Sequence, residues 1–369
     1  MTTVREVDTL VLGGGVVGMA VAYGLATAGE RVRLLDEGDD AFRAARGNFG
    51  LVWVQGKGLE NLDYARWSMA AAKRWPGFAQ ELAALTGIDV GLSQMGGLMM
   101  CLDDAELAAR VARVESLRQS LGVDYPYVVL RPGELREISP WVGPDVAGAV
   151  FSPLDGHVNP LRLLHALVKG FQVLGGEMVA GVHVDRIERR AGVFHVRAGG
   201  TEHVADRVVL AAGLGNRDLA PMVGLNAPVR PNRGQILVSE RVQPFLRHPS
   251  LYVRQTDEGV VQIGDSHEDV GFDDGTSLEK LAGIAQRAIR CFPILASVNV
   301  VRTWGALRVL TPDGFPIYQA SGDCPGAFVV TCHSGITLAP MHAGPLVNWM
   351  RGGAEPSDIQ TFRSERFDV

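Results

Sequence analysis

The feature that most limits what this chain can fold into lies in its first forty residues. Val7–Leu12 is a short apolar run of the kind a buried parallel strand needs, because both of its faces meet other layers. Gly13-x-Gly15-x-x-Gly18 follows at once, and Val16–Ala28 reads as a helix rich in Ala, Val and Leu that stops at Gly29. Arg31–Leu35 is a second strand, with Asp36 at its end, 18 residues after Gly18. Each glycine has a separate duty: Gly13 allows the tight turn, Gly15 lets backbone approach a pyrophosphate, and Gly18 lets the helix pack closely on the strands. The free N–H groups and positive end of the helix then meet the phosphates. Asp36 suits ribose hydroxyls and repels a 2′-phosphate. A lone glycine triplet is weak evidence. Strand, glycines, helix, strand and acid in one register predict a dinucleotide site, with a glycine-rich packing turn as the alternative. The motif alone does not choose between flavin and nicotinamide dinucleotides.

The same stretch must be told apart from a targeting segment. Thr9–Gly29 carries no charge, Arg5 precedes it, and Ala26-Thr27-Ala28 looks like a cleavage site. Glu6 and Asp8 spoil the positive flank, however, and Gly13-Gly14-Gly15 would weaken a membrane helix. We therefore expect no signal or transmembrane segment. A chain of 369 residues suggests roughly two domains. A net charge of −6 without a long basic run disfavours nucleic acid as a partner. Cys101, Cys291, Cys324 and Cys332 form no CxxC pair, and no His/Cys cluster has zinc-ligand spacing. No metal site is expected, and the thiols read as reduced and mostly buried in a cytoplasmic protein.

Farther along, Gly181–Glu188, Val193–Ala198 and His203–Leu210 form a β-rich stretch, and the strand within it runs on to Ala211-Ala-Gly213, a second glycine-ended strand. Leu59–Thr86, Asp103–Leu121 and Ser277–Cys291 read as helices from their apolar spacing, with Trp67, Trp75 and Phe78 as core residues. Gln235–Ser239, Leu251–Arg254 and Val260–Gly264 read as short strands, with a hairpin turn around Glu258-Gly259.

Several of these segments carry a resemblance. The opening Asp8–Gly18, Ala45-Arg-Gly-Asn-Phe-Gly50, Asp155-Gly-His-Val-Asn-Pro160, Ala211-Ala-Gly213 and Arg233-Gly-Gln235 recur in order. So do Trp304-Gly-Ala-Leu-Arg308, Thr311-Pro-Asp-Gly-Phe-Pro316 and His333-Ser-Gly-Ile-Thr-Leu-Ala-Pro340. Together they resemble the FAD-dependent amine and amino-acid oxidoreductases of the D-amino-acid-oxidase superfamily, which includes glycine oxidase and sarcosine oxidase. The Arg-Gly-Asn-Phe-Gly and His-Ser-Gly-Ile-Thr-Leu-Ala-Pro versions look closest to the catalytic subunits of opine oxidase and hydrogen cyanide synthase.

The resemblance implies an α/β (α+β mixed) fold: a Rossmann-like FAD-binding domain over 1–90, 146–220 and 302–369, and a smaller substrate domain over 91–145 and 221–301 on a mixed or antiparallel sheet. It implies non-covalent, extended FAD. Gly13, Gly15, Val16, Val17 and Gly18 would hold the pyrophosphate, and Asp36 and Glu37 the ribose. Arg46, Gly47, Asn48 and Gly50 would lie along the phosphates and flavin, Val184 at the adenine, and Gly213 near the dinucleotide. Ser334, Gly335, Ile336, Thr337 and Leu338 would wrap the flavin end, with a helix opening near Thr337.

Flavin chemistry asks the protein for orientation, electrostatics and exclusion of water. The resemblance makes Arg308 the first choice to clamp a substrate carboxylate, since a guanidinium fork suits that group; a domain-linking ion pair is the alternative. Tyr252 matches a pocket-lining Tyr, and Arg254, in the same strand, is expected to face away from that pocket. His333 is a candidate for a flavin or substrate hydrogen bond, whereas Asp265 and His267 read as ordinary loop residues. The expected activity is oxidation of an amino- or imino-acid C–N bond, with opines, glycine, sarcosine and D-amino acids as substrates. The chain would then be a catalytic subunit of a hetero-oligomer whose partners accept electrons. The competing readings are a non-catalytic flavin-binding subunit and an NAD-dependent dehydrogenase.

Overall fold

The computed structural model describes residues 7–38, 44–45, 47–122 and 124–367. The opening run forms β1 (Val7–Leu12), whose Leu10, Val11 and Leu12 are fully buried. β1 runs parallel to β2 (Val32–Asp36) on one side and to the strand Thr201–Leu210 on the other. The sheet order is Ile317–Ala320, Ala327–Thr331, Thr201–Leu210, β1, β2, Glu177–Ala180, and every neighbouring pair is parallel except the first. α1 (Val16–Thr27) connects β1 to β2. It is apolar nearly all round because ten of its residues, Val16 and Gly18 to Ala26, are buried. The strand expected over Gly181–Glu188 starts three residues later, at Val184, and runs on to Arg190. Gly181, at φ +73°, ends Glu177–Ala180, and Val184–Arg190 begins an antiparallel hairpin with Val193–Ala198.

α2 (Leu62–Thr86) starts three residues after the expected Leu59. The Asn61 side chain accepts from the N–H groups of Asp63 (3.1 Å) and Tyr64 (3.3 Å), which fixes the first turn there. Trp67, Trp75 and Phe78 are buried as their spacing predicted. Trp75 Nε1 also donates to the Thr337 carbonyl at 3.0 Å, tying α2 to the far end of the chain. α3 (Asp104–Leu121) is capped by Asp103, which accepts from Glu106 N–H at 2.7 Å. Among the described residues no helix is long and apolar enough to cross a membrane.

The second sheet is antiparallel, in the order Val253–Gln255, Val260–Ile263, Arg230–Arg241, Val300–Leu310. The expected Gln235–Ser239 strand is the middle of a twelve-residue strand. Gly259, at φ +89°, makes the turn after Glu258. A third, smaller sheet pairs Gly148–Ser152 with both Gly97–Cys101 and Val128–Leu130. Two expected boundaries need correction. Val300–Leu310 pairs along its length with Arg230–Arg241, so a cut at 302 falls inside a strand of the smaller sheet. Gly148–Ser152 likewise belongs with Gly97–Cys101 rather than with the large sheet, so a cut at 146 separates paired strands. No glycine or proline stands within Val300–Thr303 to mark the passage at 302.

Candidate active site

The parallel strands β1, β2, Thr201–Leu210 and Ala327–Thr331 end on one rim. Residues that follow them line a cleft of about 320 Å³, which is where open α/β sheets bind ligands. Gly13, Gly15, Val16 and Val17 form its floor, with Asp36 and Glu37 from the end of β2, and Val184 and Gly213 opposite. The glycines divide their duties as their spacing predicts. Gly13 has φ +108°, and a Cβ there would come within 2.4 Å of the Ala211 carbonyl oxygen. In front of Gly15 the nearest atom to a Cβ is 3.9 Å away, on Ala45, so its backbone faces open cleft. Gly18 is not on the wall; a Cβ would sit 1.9 Å from the Gly13 oxygen, so its role is close packing. α1 begins after Gly15 with no side-chain cap and no acid in its first turn. Its free N–H groups are therefore available to an anion. The Asp36 carboxylate accepts from Gly14 N–H at 2.6 Å and from Gly38 N–H at 3.0 Å, holding the glycine turn against β2. Glu37 Oε1 lies 2.7 Å from His183 Nδ1. An uncapped helix start, a bare glycine wall and an acid at the second strand end fit a dinucleotide.

The cleft runs into a cavity of about 210 Å³ that Gly47, Asn48, His333, Ser334 and Thr337 help to line. Gly335 lines the first cleft, and Ile336 lines both spaces. The helix there spans Gly335–Met341, so it opens two residues before the expected Thr337. Leu338 and Gly50 are corrections. Leu338 is fully buried in the core because it turns to the inner face of that helix, and it lines no part of the cleft. Gly50 has φ +85° and backs onto the Val158 carbonyl, where a Cβ would lie at 2.5 Å. Arg46 lies outside the described residues.

The sequence reading missed Lys57, which lines this second cavity. Its ammonium donates to Ser334 Oγ at 2.8 Å and Thr337 Oγ1 at 3.2 Å, and the Tyr64 hydroxyl lies 2.8 Å from the same Ser334 Oγ. Burial pulls its pKa down to about 8, against the opposing pull of Cys332 and Asp155. The available signal was its place between Gly56 (φ +78°) and Gly58 (φ +80°), a loop shaped to pass close to something. Asp155 braces that loop by accepting from Val54 N–H at 2.5 Å and Gln55 Nε2 at 2.9 Å, and burial raises its pKa to about 7. His333 presents exposed surface to both cavities. Desolvation, then the cations Arg308 and Lys57, push its pKa down, which favours the neutral ring. Cys332 is buried and its thiol is pushed up to about 12.

Arg308, on Val300–Leu310, lies over Gly234, where a Cβ would meet its Nη2 at 2.2 Å; the Arg233-Gly-Gln235 segment thus makes room for it. Arg308 pairs with Asp265 and donates to the Ser266 carbonyl at 2.8 Å and Asn232 Oδ1 at 3.2 Å. Asp265, expected to be an ordinary loop residue, is thus bonded to the expected clamp. Beyond it opens a third cavity, of about 960 Å³, with Tyr252 on its wall; Leu251 and Asp265 line both this space and the second cavity. Burial raises the Tyr252 phenol pKa. Residues two apart on a regular strand share a face, so alternation does not separate Tyr252 from Arg254. The strand instead begins at Val253, after Tyr252. Arg254 is buried against Phe49 and Gln262, away from the third cavity.

This architecture matches known proteins along nearly its whole length. The chain is 43% identical over 363 residues to one of the subunits of opine oxidase from Agrobacterium tumefaciens (strain Ach5), covering 98% of each chain. It is 27% identical over 419 residues to the hydrogen cyanide synthase subunit HcnC of Pseudomonas aeruginosa, covering 98% of this chain and 97% of that one. The crystal structure of glycine oxidase from Geobacillus kaustophilus has the same fold, with a TM-score of 0.91 at 24% identity over 98% of both chains. A family model described as FAD dependent oxidoreductase matches residues 8–349, and the chain belongs to that family of FAD-dependent oxidoreductases.

Proposed function

We propose that this chain oxidises the C–N bond of an amino or imino acid, with an opine, glycine, sarcosine or a D-amino acid as substrate. The observation that carries this reading is the meeting of two cavities at Leu251 and Asp265, with Arg308 bonded to Asp265 on one side and Tyr252 on the other. FAD, when bound, would supply the two-electron acceptor for a hydride lost from the substrate α-carbon. The cleft glycines and the start of α1 would hold its diphosphate, and Asp36 and Glu37 its ribose.

The Arg308–Asp265 pair offers both charges that an amino acid carries. The guanidinium and the Tyr252 hydroxyl receive the carboxylate, and Asp265 faces the ammonium until its proton is lost. Loss of that proton and of the hydride leaves an imine, which water converts to an oxo acid and an amine. Neutral His333 remains able to donate or accept one hydrogen bond at the same place.

The relatives named as subunits support a chain that works inside a hetero-oligomer; partner subunits would then accept its electrons. One observation favours a second reading, a passive flavin-binding subunit: the charge of Arg308 is already met by Asp265. Turnover of the FAD-loaded chain with an artificial electron acceptor separates the two. Release of an oxo acid from at least one member of a panel of amino and imino acids is expected, and none from any member would leave the passive reading.

A further inference from the structure

The Arg233-Gly-Gln235 segment stands out in the sequence, yet the site described above uses only its glycine. By the period of two, Arg233 and Gln235 point to one face of the strand Arg230–Arg241, and Gly234 leaves the other face to Arg308. Both outer residues grip Glu268. Its carboxylate accepts from Arg233 Nη2 at 2.9 Å, from Gln235 Nε2 at 2.8 Å and from Ser266 Oγ at 2.6 Å. The main chains of Arg233 and Glu268 also exchange two bonds, of 2.9 and 3.0 Å. Glu268, Arg233 and Gln235 are all buried.

This clasp stands where the sheet gives out. Leu237 pairs with Ile263 and Arg233 with Glu268, so five steps along the second segment answer four along the strand. The extra residue makes a bulge, which interrupts the ladder of main-chain bonds. Ser266 covers the gap: its hydroxyl accepts the Gln235 N–H at 3.1 Å and donates to Glu268. The carbonyl of the same residue accepts from Arg308 Nη1 at 2.8 Å, and Asp265, the ion-pair partner of Arg308, directly precedes it. Farther on, Arg233 Nη1 reaches Asp273 at 2.6 Å and Gln235 Oε1 accepts the Ser277 N–H at 2.9 Å. The segment from Asp265 to Ser277 is thus held at both ends by the two residues that flank Gly234.

We propose that Glu268 is a positioning residue for the substrate carboxylate: through Ser266 it fixes the Arg308–Asp265 pair in the geometry that receives an amino or imino acid. This rests on the C–N oxidation reading above, in which Arg308 clamps the carboxylate. A guanidinium fork gives its full worth only at a set angle, because two N–H groups must meet two oxygens together. With Ser266 loose, Arg308 keeps its charge and loses that angle. The fault then lies in holding the acid group and not in holding FAD, since neither Glu268 nor Ser266 lines the dinucleotide cleft.

The test is a double-mutant cycle on the FAD-loaded protein, because residues that act through one another give non-additive effects. The probe is (methylthio)acetate, a carboxylate with no amine to oxidise, set against the neutral (methylthio)acetamide. Kd is read from the change each causes in flavin absorbance. Wild type should bind the acid about tenfold or more tightly than the amide. Glu268→Gln, which keeps the shape and removes the charge, should weaken the acid about fivefold and leave the amide within about twofold. In the Arg308→Ala background the same substitution should change neither. The FAD-to-chain ratio and Tm check the fold of each variant. Loss of a buried charge beside Arg233 can unfold a chain, so Ser266→Ala is read in the same cycle, with a loss of about threefold that again requires Arg308. Equal losses with and without Arg308 overturn the assignment and leave the clasp a purely structural feature. No acid preference in wild type removes Arg308 as the clamp, and Glu268 with it. Anaerobic flavin bleaching by a panel of amino and imino acids is read in parallel. Coupled losses with no bleaching by any member would sink the oxidation reading and leave a positioned anion site, so the two failures are distinct.

Discussion

In the dinucleotide cleft, position follows from main chain: Gly13, Gly15 and the start of α1 stand within a dozen residues of one another, and their N–H groups and bare Cα atoms form the wall. In the two cavities beyond it, position follows from side chains that arrive from far apart. Lys57 meets Ser334 and Thr337, and Arg308 meets Asp265 and Asn232. The first kind of site tolerates no added side chain but says little about which molecule reacts. The second kind holds its shape and charge through side chains that single substitutions can remove.

The largest effect should come from attacking the wall. Gly15 has open space before it, so Gly15→Val should fold while its side chain denies the diphosphate two or more charge-assisted N–H contacts. FAD affinity should fall by at least about a hundredfold, measured by fluorescence titration of the apoprotein. Full FAD binding in that variant would break the distinction drawn above.

Next, Arg308→Ala should leave FAD bound and raise KM for carboxylate substrates by about ten- to a hundredfold. Unchanged steady-state kinetics would show that Arg308 only closes an ion pair with Asp265. A smaller change is expected at Lys57. Its charge near the flavin end should favour a reduced, anionic flavin, so Lys57→Met should lower the two-electron potential by about 30 mV, equivalent to about 1.4 kcal/mol. The sign with pH follows from the lowered pKa. Lys57 is charged below about 8 and loses its proton above it, so the difference between wild type and variant should be full at neutral pH and fade in alkali. A difference that persists at high pH would assign it to packing instead. The smallest effect is expected from Tyr252→Phe, a roughly fivefold rise in KM from one neutral hydrogen bond; no rise would place the phenol outside the substrate's reach.

The same contrast explains how much was legible in the sequence. β1, α1, β2 and the three glycine duties could be read because each depends on neighbours within a few turns of chain. Trp67, Trp75 and Phe78 could be read as core because helical spacing alone put them on one face. Leu338 and Gly50 were misplaced because a segment beside a ligand alternates between wall and core, and only packing decides which residue faces which way. Asp265 looked like loop because its partner, Arg308, stands 43 positions away on another strand. The cut expected at 302 failed for a related reason: strand pairing with Arg230–Arg241 is long-range and leaves no local break.

The most direct test of the account is the anaerobic half-reaction of the FAD-loaded wild-type chain. One equivalent of a suitable amino or imino acid should bleach one equivalent of bound flavin and yield one equivalent of oxo acid. Flavin that stays oxidised against the whole panel, in folded protein with full FAD occupancy, would contradict it.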